Sequence, residues 1–284
     1  MTDRYAVIGN PVEHSRSPQI HQAFAAQTGQ DVDYSRVLAP LDGFVETVQT
    51  MRETGFKGAN VTVPFKLEAF LMLQNQILAP DLAGQLTARA HAAGAVNTLI
   101  FSGESIIGDN TDGVGLVRDI QQNLGLNFQA KRVLLVGAGG AAEGVLHPVL
   151  EQQPQLLVIA NRSMDKALSM VKKVKQQEDF RFASVNAHAF DDLRGQSFDV
   201  VINATSTGLS DTQLPLPPDI FAEGALAYDM MYGRETPFMA FARRHGAARV
   251  ADGLGMLVEQ AAESFYLWRQ IHPITLPVIA QLRA

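Results

Sequence analysis

The sequence contains no cysteine. That absence removes disulfides, thiolate nucleophiles and cysteine-based metal sites from consideration. The seven histidines show no metal-ligand spacing, so no metal is expected, and His14 and His21 read as polar surface or cap residues. No apolar run approaches the ~20 residues a membrane helix needs. A secretory h-region is lacking too, because the N-terminus soon reaches the polar turn Gly9-Asn10-Pro11. Positive charge is in deficit. The formal net charge is −6, and phosphate-backbone or anionic-membrane binding wants clustered Lys and Arg. No repeat, low-complexity tract or charge run is present. These absences point to a cytoplasmic protein that handles small molecules rather than nucleic acid or membrane.

What is present describes an ordinary globular chain. At 284 residues, with 46% apolar and 18% charged residues, it has ample core and a length that suggests two domains. Strand and helix patterns alternate from the start, the signature of a mostly parallel sheet with helices on its faces. Strands are expected at Tyr5 to Ile8, Val32 to Leu38 and Lys57 to Val63. Helices are expected from Pro18 to about Gln27, with Ser17 as N-cap, and from Leu41 to Thr54. Two helices, broken near Ala79-Pro80, are expected to fill 64–92, with Pro64 at the first helical position. A hairpin about Ser102-Gly103 and a helix from Asp112 to Leu124 complete this series. A second series begins at Arg132, with strands near 132–136, 155–160, 180–185, 198–202, 225–229 and 248–250. It reads as a doubly wound sheet in its own right. Ser206 to Pro218 is a rim loop, Gly253 to Arg269 the last long helix, and a short helix follows Pro273. The fold class is therefore α/β in two domains.

Within the second series, Val133-Leu134-Leu135-Val136 is a strand buried on both faces. Gly137-Ala138-Gly139-Gly140-Ala141-Ala142 follows it, and a helix opens. In that context backbone N–H groups and a helix N-terminus can hold a pyrophosphate. In dinucleotide folds an acidic residue ~20 residues further on binds the ribose 2′-hydroxyl. Here the second strand ends instead in Asn161-Arg162-Ser163, with Lys166 one turn on. A guanidinium there can pair with a 2′-phosphate, which points to NADP. The alternative is a loop with Ser163 as helix N-cap and solvated basic residues.

Elsewhere, Lys66 follows the strand Asn60 to Val63 and from position alone reads as a solvated surface lysine; it lies in a first helical turn, where a cation opposes the helix dipole. A nearby carboxylate would offset this, and Asp112 is a candidate, although it could serve as an N-cap. A Lys–Asp pair could move the hydroxyl proton that accompanies hydride transfer at a carbinol. Ser15, Ser17, Asn60, Thr62 and Asn97 place short polar side chains at strand ends, where open α/β sheets bind ligands. Such uncharged groups suit a polyhydroxylated substrate. Tyr232, after the strand Leu226 to Asp229, is placed to touch a ligand, while Gln260 reads by default as a surface residue.

Taken in order, several motifs resemble the shikimate dehydrogenase family. In the first half they are Gly9-Asn10-Pro11, Ser15-Arg16-Ser17-Pro18, Asn60 to Lys66, Gly94 to Thr98 and Asn110-Thr111-Asp112-Gly113. In the second half they are the glycine turn, Asn161-Arg162-Ser163, Asn203-Ala204-Thr205-Ser206, Asp229 to Tyr232 and Asp252 to Met256. The resemblance implies reversible NADPH-dependent reduction of 3-dehydroshikimate to shikimate, in aromatic amino-acid biosynthesis. It implies a substrate domain over 1–111, completed by 254–284, and a Rossmann-type NADP domain over 112–253, in a monomer or homodimer. Lys66 and Asp112 would be the catalytic pair. Ser15, Ser17, Asn60, Thr62, Asn97 and Gln260 would bind substrate, with Tyr232 nearby. Gly137, Ala138, Gly139, Gly140 and Ala141, with Asn161, Arg162, Ser163 and Lys166, would hold NADP, while Met230 and Gly253 would approach its nicotinamide end. Lys166 stands where the family often has a second arginine, and the segment from Lys66 to Asn97 is about ten residues longer than in typical members. A broader enzyme that also uses quinate or NAD is the main alternative. A non-enzymatic sensor on the same scaffold is the other, disfavoured because Lys66 and Asp112 are both present.

Overall fold

The computed structural model describes residues 2–77, 82–207 and 212–284. The expected helix break near Ala79-Pro80 and part of the rim loop from Ser206 to Pro218 lie outside the described residues. The chain forms two compact units, Met1–Gly115 with Leu257–Ala284, and Leu116–Met256. Among the described residues, no helix is long and apolar enough to cross a membrane.

The first unit contains β1 (Asp3–Gly9), α1 (Ser17–Thr28), β2 (Val32–Leu38), α2 (Phe44–Glu53) and β3 (Phe56–Val61). It continues with α3 (Lys66–Gln74), β4 (Ala83–Leu86), α4 (Ala88–Ala93), β5 (Thr98–Ser102) and β6 (Ser105–Asp109). Its sheet has the order β2-β1-β3-β5-β6-β4. β1 runs parallel to β2 and β3, and β4 parallel to β6, while β5 is antiparallel to both its neighbours. Period-2 alternation sorts the core. Ala6 and Ile8 join Phe44, Phe65 and Leu99 on one face, and Tyr5 and Val7 join Tyr34 on the other. Each large apolar side chain buried this way is worth roughly 1.5–3 kcal/mol.

Several local expectations need correction. Residues 64–92 are not filled by helices, because the edge strand β4 lies between α3 and α4. At four residues, with its side chains alternating between exposed and half-buried, it is too short and too weakly buried to show a period. Pro64 precedes the helix rather than opening it, since α3 begins at Lys66 with Phe65 as N-cap. Ser17 is likewise the first residue of α1; Arg16 occupies the cap position, and no side chain caps the helix. His21 is not on the surface but fully buried, and its place on α1 puts it inward, against Phe24 and Tyr34.

The second unit holds β7 (Arg132–Val136), α6 (Gly140–Leu150), β8 (Leu156–Ala160), α7 (Met164–Lys175), β9 (Val185–His188) and β10 (Phe198–Asn203). β11 (Phe221–Asp229), α8 (Pro237–Arg244) and β12 (Arg249–Ala251) follow. The sheet order is β12-β11-β10-β7-β8-β9, with every pair parallel. Val133 and Leu135 pack into one apolar cluster, and Leu134 and Val136 into another. Cover on both faces explains the uninterrupted apolar run. The strand expected at 180–185 forms later, at β9, because Glu178–Phe180 closes into a 3-10 turn.

The chain leaves the first unit within α5 (Asp112–Arg118) and returns within α9 (Leu254–Arg269), before α10 (Leu276–Arg283). The helix expected from 112 to 124 stops being α-helical at Arg118 and continues as a π-helix over Asp119–Asn123. The side chains of α9 beyond Leu257 belong to the first unit. Trp268 stacks on Tyr5 with ring centroids 4.5 Å apart and donates from Nε1 to the Leu99 carbonyl at 3.0 Å.

Candidate active site

Topology gathers the polar residues of the first unit along one sheet edge. β1, β3 and β6 end there, and β5, running the other way, begins there. The segments carrying Ser15 and Ser17, Thr62 and Lys66, Asn97, and Asp112 all adjoin those strand ends. This is the carboxyl edge at which open α/β sheets receive ligands.

Lys66 and Asp112 meet. Lys66 Nζ donates to Asp112 Oδ2 at 2.6 Å, with side-chain exposures of 33% and 19%, so the pair is sheltered yet open to a ligand. The carboxylate supplies the offset that a cation at a helix N-terminus requires, and Glu68 in the same turn adds to it. Asp112 does not cap its own helix: it is the first residue of α5, and its carboxylate turns to Lys66 and Asn97 while Asn110 Oδ1 accepts from its N–H at 3.1 Å. The second carboxylate oxygen, Oδ1, accepts from Asn97 Nδ2 at 2.8 Å. Two of the three N–H bonds of the Lys66 ammonium meet no partner among the described residues.

Asn97 is the hub. Its Nδ2 also reaches Thr111 Oγ1 at 3.0 Å and Gln260 Oε1 at 3.3 Å. Its Oδ1 accepts from the Thr111 N–H and from Thr98 Oγ1, each at 2.9 Å. Gln260 is therefore not a surface glutamine; α9 delivers it into this network. Asn60 lies deeper, at 6% exposure. Its Oδ1 accepts from the Tyr34 hydroxyl at 2.7 Å, and its Nδ2 donates to Ser264 Oγ at 3.0 Å. Ser15 and Ser17 form their own pair, with hydroxyls 3.1 Å apart, and Arg36 clamps the Ser15 carbonyl. The Thr62 hydroxyl is half-buried and has no hydrogen-bond partner among the described residues.

Sequence reasoning missed the support beneath this edge. Arg89 donates through Nε and Nη2 to both oxygens of Asp109, at 3.1 and 2.6 Å, and through Nη1 to Glu263 at 2.8 Å. It ties the strand end that leads to Asp112 to the helix that carries Gln260. Ser264, fully buried, joins Thr98 and Thr111 as well as Asn60. No local signal marks these residues, because each acts through partners far away in the chain.

The second unit holds a cavity of about 860 Å³. Gly137, Ala138, Gly139, Gly140 and Ala141 line it, as do Asn161, Arg162, Ser163, Lys166 and Met230. Gly137 adopts φ +114°, a backbone conformation that strongly favours glycine, and its N–H closes onto the Ala160 carbonyl at 2.8 Å. No side chain caps the N-terminus of α6, which leaves its first N–H groups for an anion. A Cβ on Gly139 or Gly140 would meet nothing within 4 Å, so open space lies in front of both. Two cations and no carboxylate line the described wall. Ser163 stands at the N-cap position of α7 without a side-chain cap bond, and Asn161 Nδ2 donates to its carbonyl at 3.0 Å. Cavity size, open glycine turn and paired cations all fit NADP. Gly253 packs closely against Met230 and is not itself among the lining residues, and Tyr232 is half-buried just beyond Met231.

The chain is also similar to known proteins along most of its length. Family models match in three stretches: the shikimate dehydrogenase substrate binding domain over residues 7–99, shikimate / quinate 5-dehydrogenase over 118–210, and the shikimate 5′-dehydrogenase C-terminal domain over 253–283. The sequence is 61% identical, over 99% of both chains, to the shikimate dehydrogenase (NADP(+)) of Methylobacillus flagellatus.

The chain belongs to the shikimate dehydrogenase family. A second such enzyme, from Nitrosospira multiformis, is 58% identical over 100% of this chain and 98% of its own. Among solved structures, an Ael1 enzyme from Pseudomonas putida superposes with a TM-score of 0.91 at 45% identity, covering 99% of this chain and 98% of that one. The shikimate 5-dehydrogenase of Thermus thermophilus, solved with NADP(H) and shikimate, gives 0.83 at 28% identity, over 99% of each chain. The expected fold class, two α/β domains with a Rossmann-type second one, holds for this member of the family. The cavity wall also includes Phe190, Thr205, Thr207, Leu214 and Pro215, which were not singled out as site residues. The polar run from Asn203 to Thr207, directly after a buried strand, was the available signal.

Proposed function

We propose that this protein catalyses the reversible NADPH-dependent reduction of 3-dehydroshikimate to shikimate. The observation that carries the reading is the Lys66–Asp112 pair, tied through Asn97 to Gln260 on a strand-end edge rich in uncharged hydroxyls and amides. Substrate belongs to the unit Met1–Gly115 with Leu257–Ala284, and NADP to the cavity of Leu116–Met256. Enzymes of this name that match the chain almost end to end support both assignments.

In the reduction the carbonyl carbon gains a hydride and the carbonyl oxygen a proton. Bound NADPH supplies the hydride. The Lys66 ammonium supplies the proton to the oxygen as negative charge grows there, and in the reverse direction the neutral amine takes it from the hydroxyl. Asp112 holds Nζ in place and stabilises its charged form, while Asn97 fixes the carboxylate that does so. Ser15, Ser17, Asn60, Thr62, Asn97 and Gln260 recognise the hydroxyls and carboxylate of the substrate. Gly137 to Ala141 receive the pyrophosphate, and Arg162, with Asn161, Ser163 and Lys166, reads the 2′-phosphate. Met230, braced by Gly253, faces the nicotinamide end. An enzyme drawing on NADPH works where that cofactor circulates, so we place it in the cytoplasm. Whether it acts as a monomer or a homodimer is read directly by light scattering.

Steady-state assays of shikimate and quinate, each with NADP+ and NAD+, test the assignment. The highest kcat/KM is expected for shikimate with NADP+. Lys66→Ala should lower kcat by roughly 10²–10⁴ with less effect on KM. Near-normal turnover in that variant would remove Lys66 from the chemistry.

A further inference from the structure

Beneath the cavity wall of the second unit lies a buried polar network that takes no direct part in the chemistry above. β10 ends at Asn203 and β11 at Asp229, which are register partners, and both are fully buried. Asn203 Nδ2 donates to Asp229 Oδ2 at 3.1 Å. The amide oxygen of Asn203 and the second carboxylate oxygen of Asp229 reach forward to the wall. Asn203 Oδ1 accepts from the Thr205 N–H at 3.1 Å and from Thr205 Oγ1 at 2.7 Å. Asp229 Oδ1 accepts from the Met231 N–H at 3.0 Å. Behind them, Thr236 Oγ1 donates to Asp229 Oδ2 at 2.5 Å and accepts from the Met239 N–H, capping α8.

Gly253 closes the assembly from the far side. Its N–H donates to the Met231 carbonyl at 2.9 Å, and a Cβ there would come within 2.2 Å of the Met230 oxygen. A carboxylate buried among neutral donors is a poor way to gain stability, and burial pushes the Asp229 carboxyl above its ordinary pKa. A fully satisfied buried network does, however, impose one geometry on what it touches. Here it touches Thr205 and Met231, and both line the cavity.

Sheet order says which half of a dinucleotide meets that wall. β8, with Asn161 and Arg162 beyond it, lies on one side of β7, whereas β10 and β11 lie on the other. A dinucleotide crossing the glycine turn after β7, with its 2′-phosphate at Arg162, must extend its other half over Thr205, Met230 and Met231.

We infer that Asn203, Asp229 and Thr236 are positioning residues that hold this wall in register for the nicotinamide half of the cofactor. The inference rests on the cavity being the NADP site. Titration calorimetry on the full-length protein tests it with two probes: NADP+, and 2′-phosphoadenosine 5′-diphosphoribose, which lacks only the nicotinamide. Asp229→Asn should raise the Kd for NADP+ about tenfold and leave the Kd for the fragment within about twofold of wild type. Thr236→Val should shift the two in the same unequal way, and Thr236→Ser, which keeps the hydroxyl, should restore wild-type affinity for both. If Asp229→Asn does not fold, the Thr236 pair decides. Any result in which NADP+ is not selectively weakened overturns the inference. Failure of the wild-type protein to bind either probe would instead refute the assignment of the cavity to NADP.

Discussion

Replacing His21 with phenylalanine should make the first unit less sensitive to acid, by an amount the structure allows one to work out. His21 is fully buried on α1. Its ring stacks on Tyr34 with centroids 4.1 Å apart, tilts against Trp268 at 5.4 Å and meets Phe24 edge-on. Neither ring nitrogen has a hydrogen-bond partner among the described residues, and no charged side chain is among these ring neighbours. Burial therefore pushes its pKa from 6.5 down to about 3. In the unfolded chain the same imidazole takes up its proton near pH 6.5. Below that pH the unfolded state binds more protons than the native state, so native stability falls as pH falls, and the loss is complete only near pH 3. From pH 7 to pH 5 the linkage amounts to about 2 kcal/mol. Phenylalanine keeps the stack and cannot titrate.

The assay is urea unfolding of wild type and His21→Phe at both pH values. It is followed by the fluorescence of Trp268, the single tryptophan of the chain and a residue of the first unit. His147, whose pKa burial also lowers, contributes equally to both proteins and cancels. The difference between variant and wild type should shift by about 2 kcal/mol in favour of phenylalanine on going from pH 7 to pH 5. A difference that stays constant with pH would refute the reasoning.

Two further outcomes can be checked in the same laboratory. Arg162→Ala should raise the KM for NADPH while barely touching that for NADH; equal losses would show that Arg162 does not read the 2′-phosphate. Arg89→Ala takes the guanidinium away from the buried carboxylates of Asp109 and Glu263, which are 1% and 7% exposed, and should lower stability by about 3 kcal/mol in urea unfolding. Arg89→Lys should recover part of that, since an ammonium can still pair with one carboxylate, and a loss below about 1 kcal/mol for alanine would deny the triad its structural weight.

The features legible in the sequence are those whose physics is local. Val133 to Val136 announces a doubly covered strand because burial on both faces demands unbroken apolar residues. Gly137 marks a turn because few other residues adopt its backbone angles. Arg162 after the second strand marks the cavity wall it lines, because a strand end of this fold is where a basic side chain meets a ligand. Lys66 and Asp112 were readable as candidates, yet their meeting at 2.6 Å depends on the sheet order, which no window of sequence contains. The same reason hid Ser264, Arg89 and Asp229. Each looks ordinary among its chain neighbours and takes on a role only when a partner tens to hundreds of residues away is brought to it. β4 was lost for a different reason, since a four-residue edge strand lacks the length to display a period.

One feature of the chain path bears on how the protein comes into being. The second unit is continuous, Leu116–Met256, whereas the first is assembled from Met1–Gly115 and Leu257–Ala284. During synthesis every residue of the second unit is in hand once Met256 leaves the ribosome. The unit that carries Lys66 and Asp112 must wait, its Asn97, Thr98 and Asn60 side chains lacking Gln260 and Ser264 until α9 emerges. The first unit is therefore complete only in a copy whose translation has passed α9. A chain released before Leu257 would contain the whole of the second unit, yet Asn97, Thr98 and Asn60 of the first would lack the partners that α9 brings them.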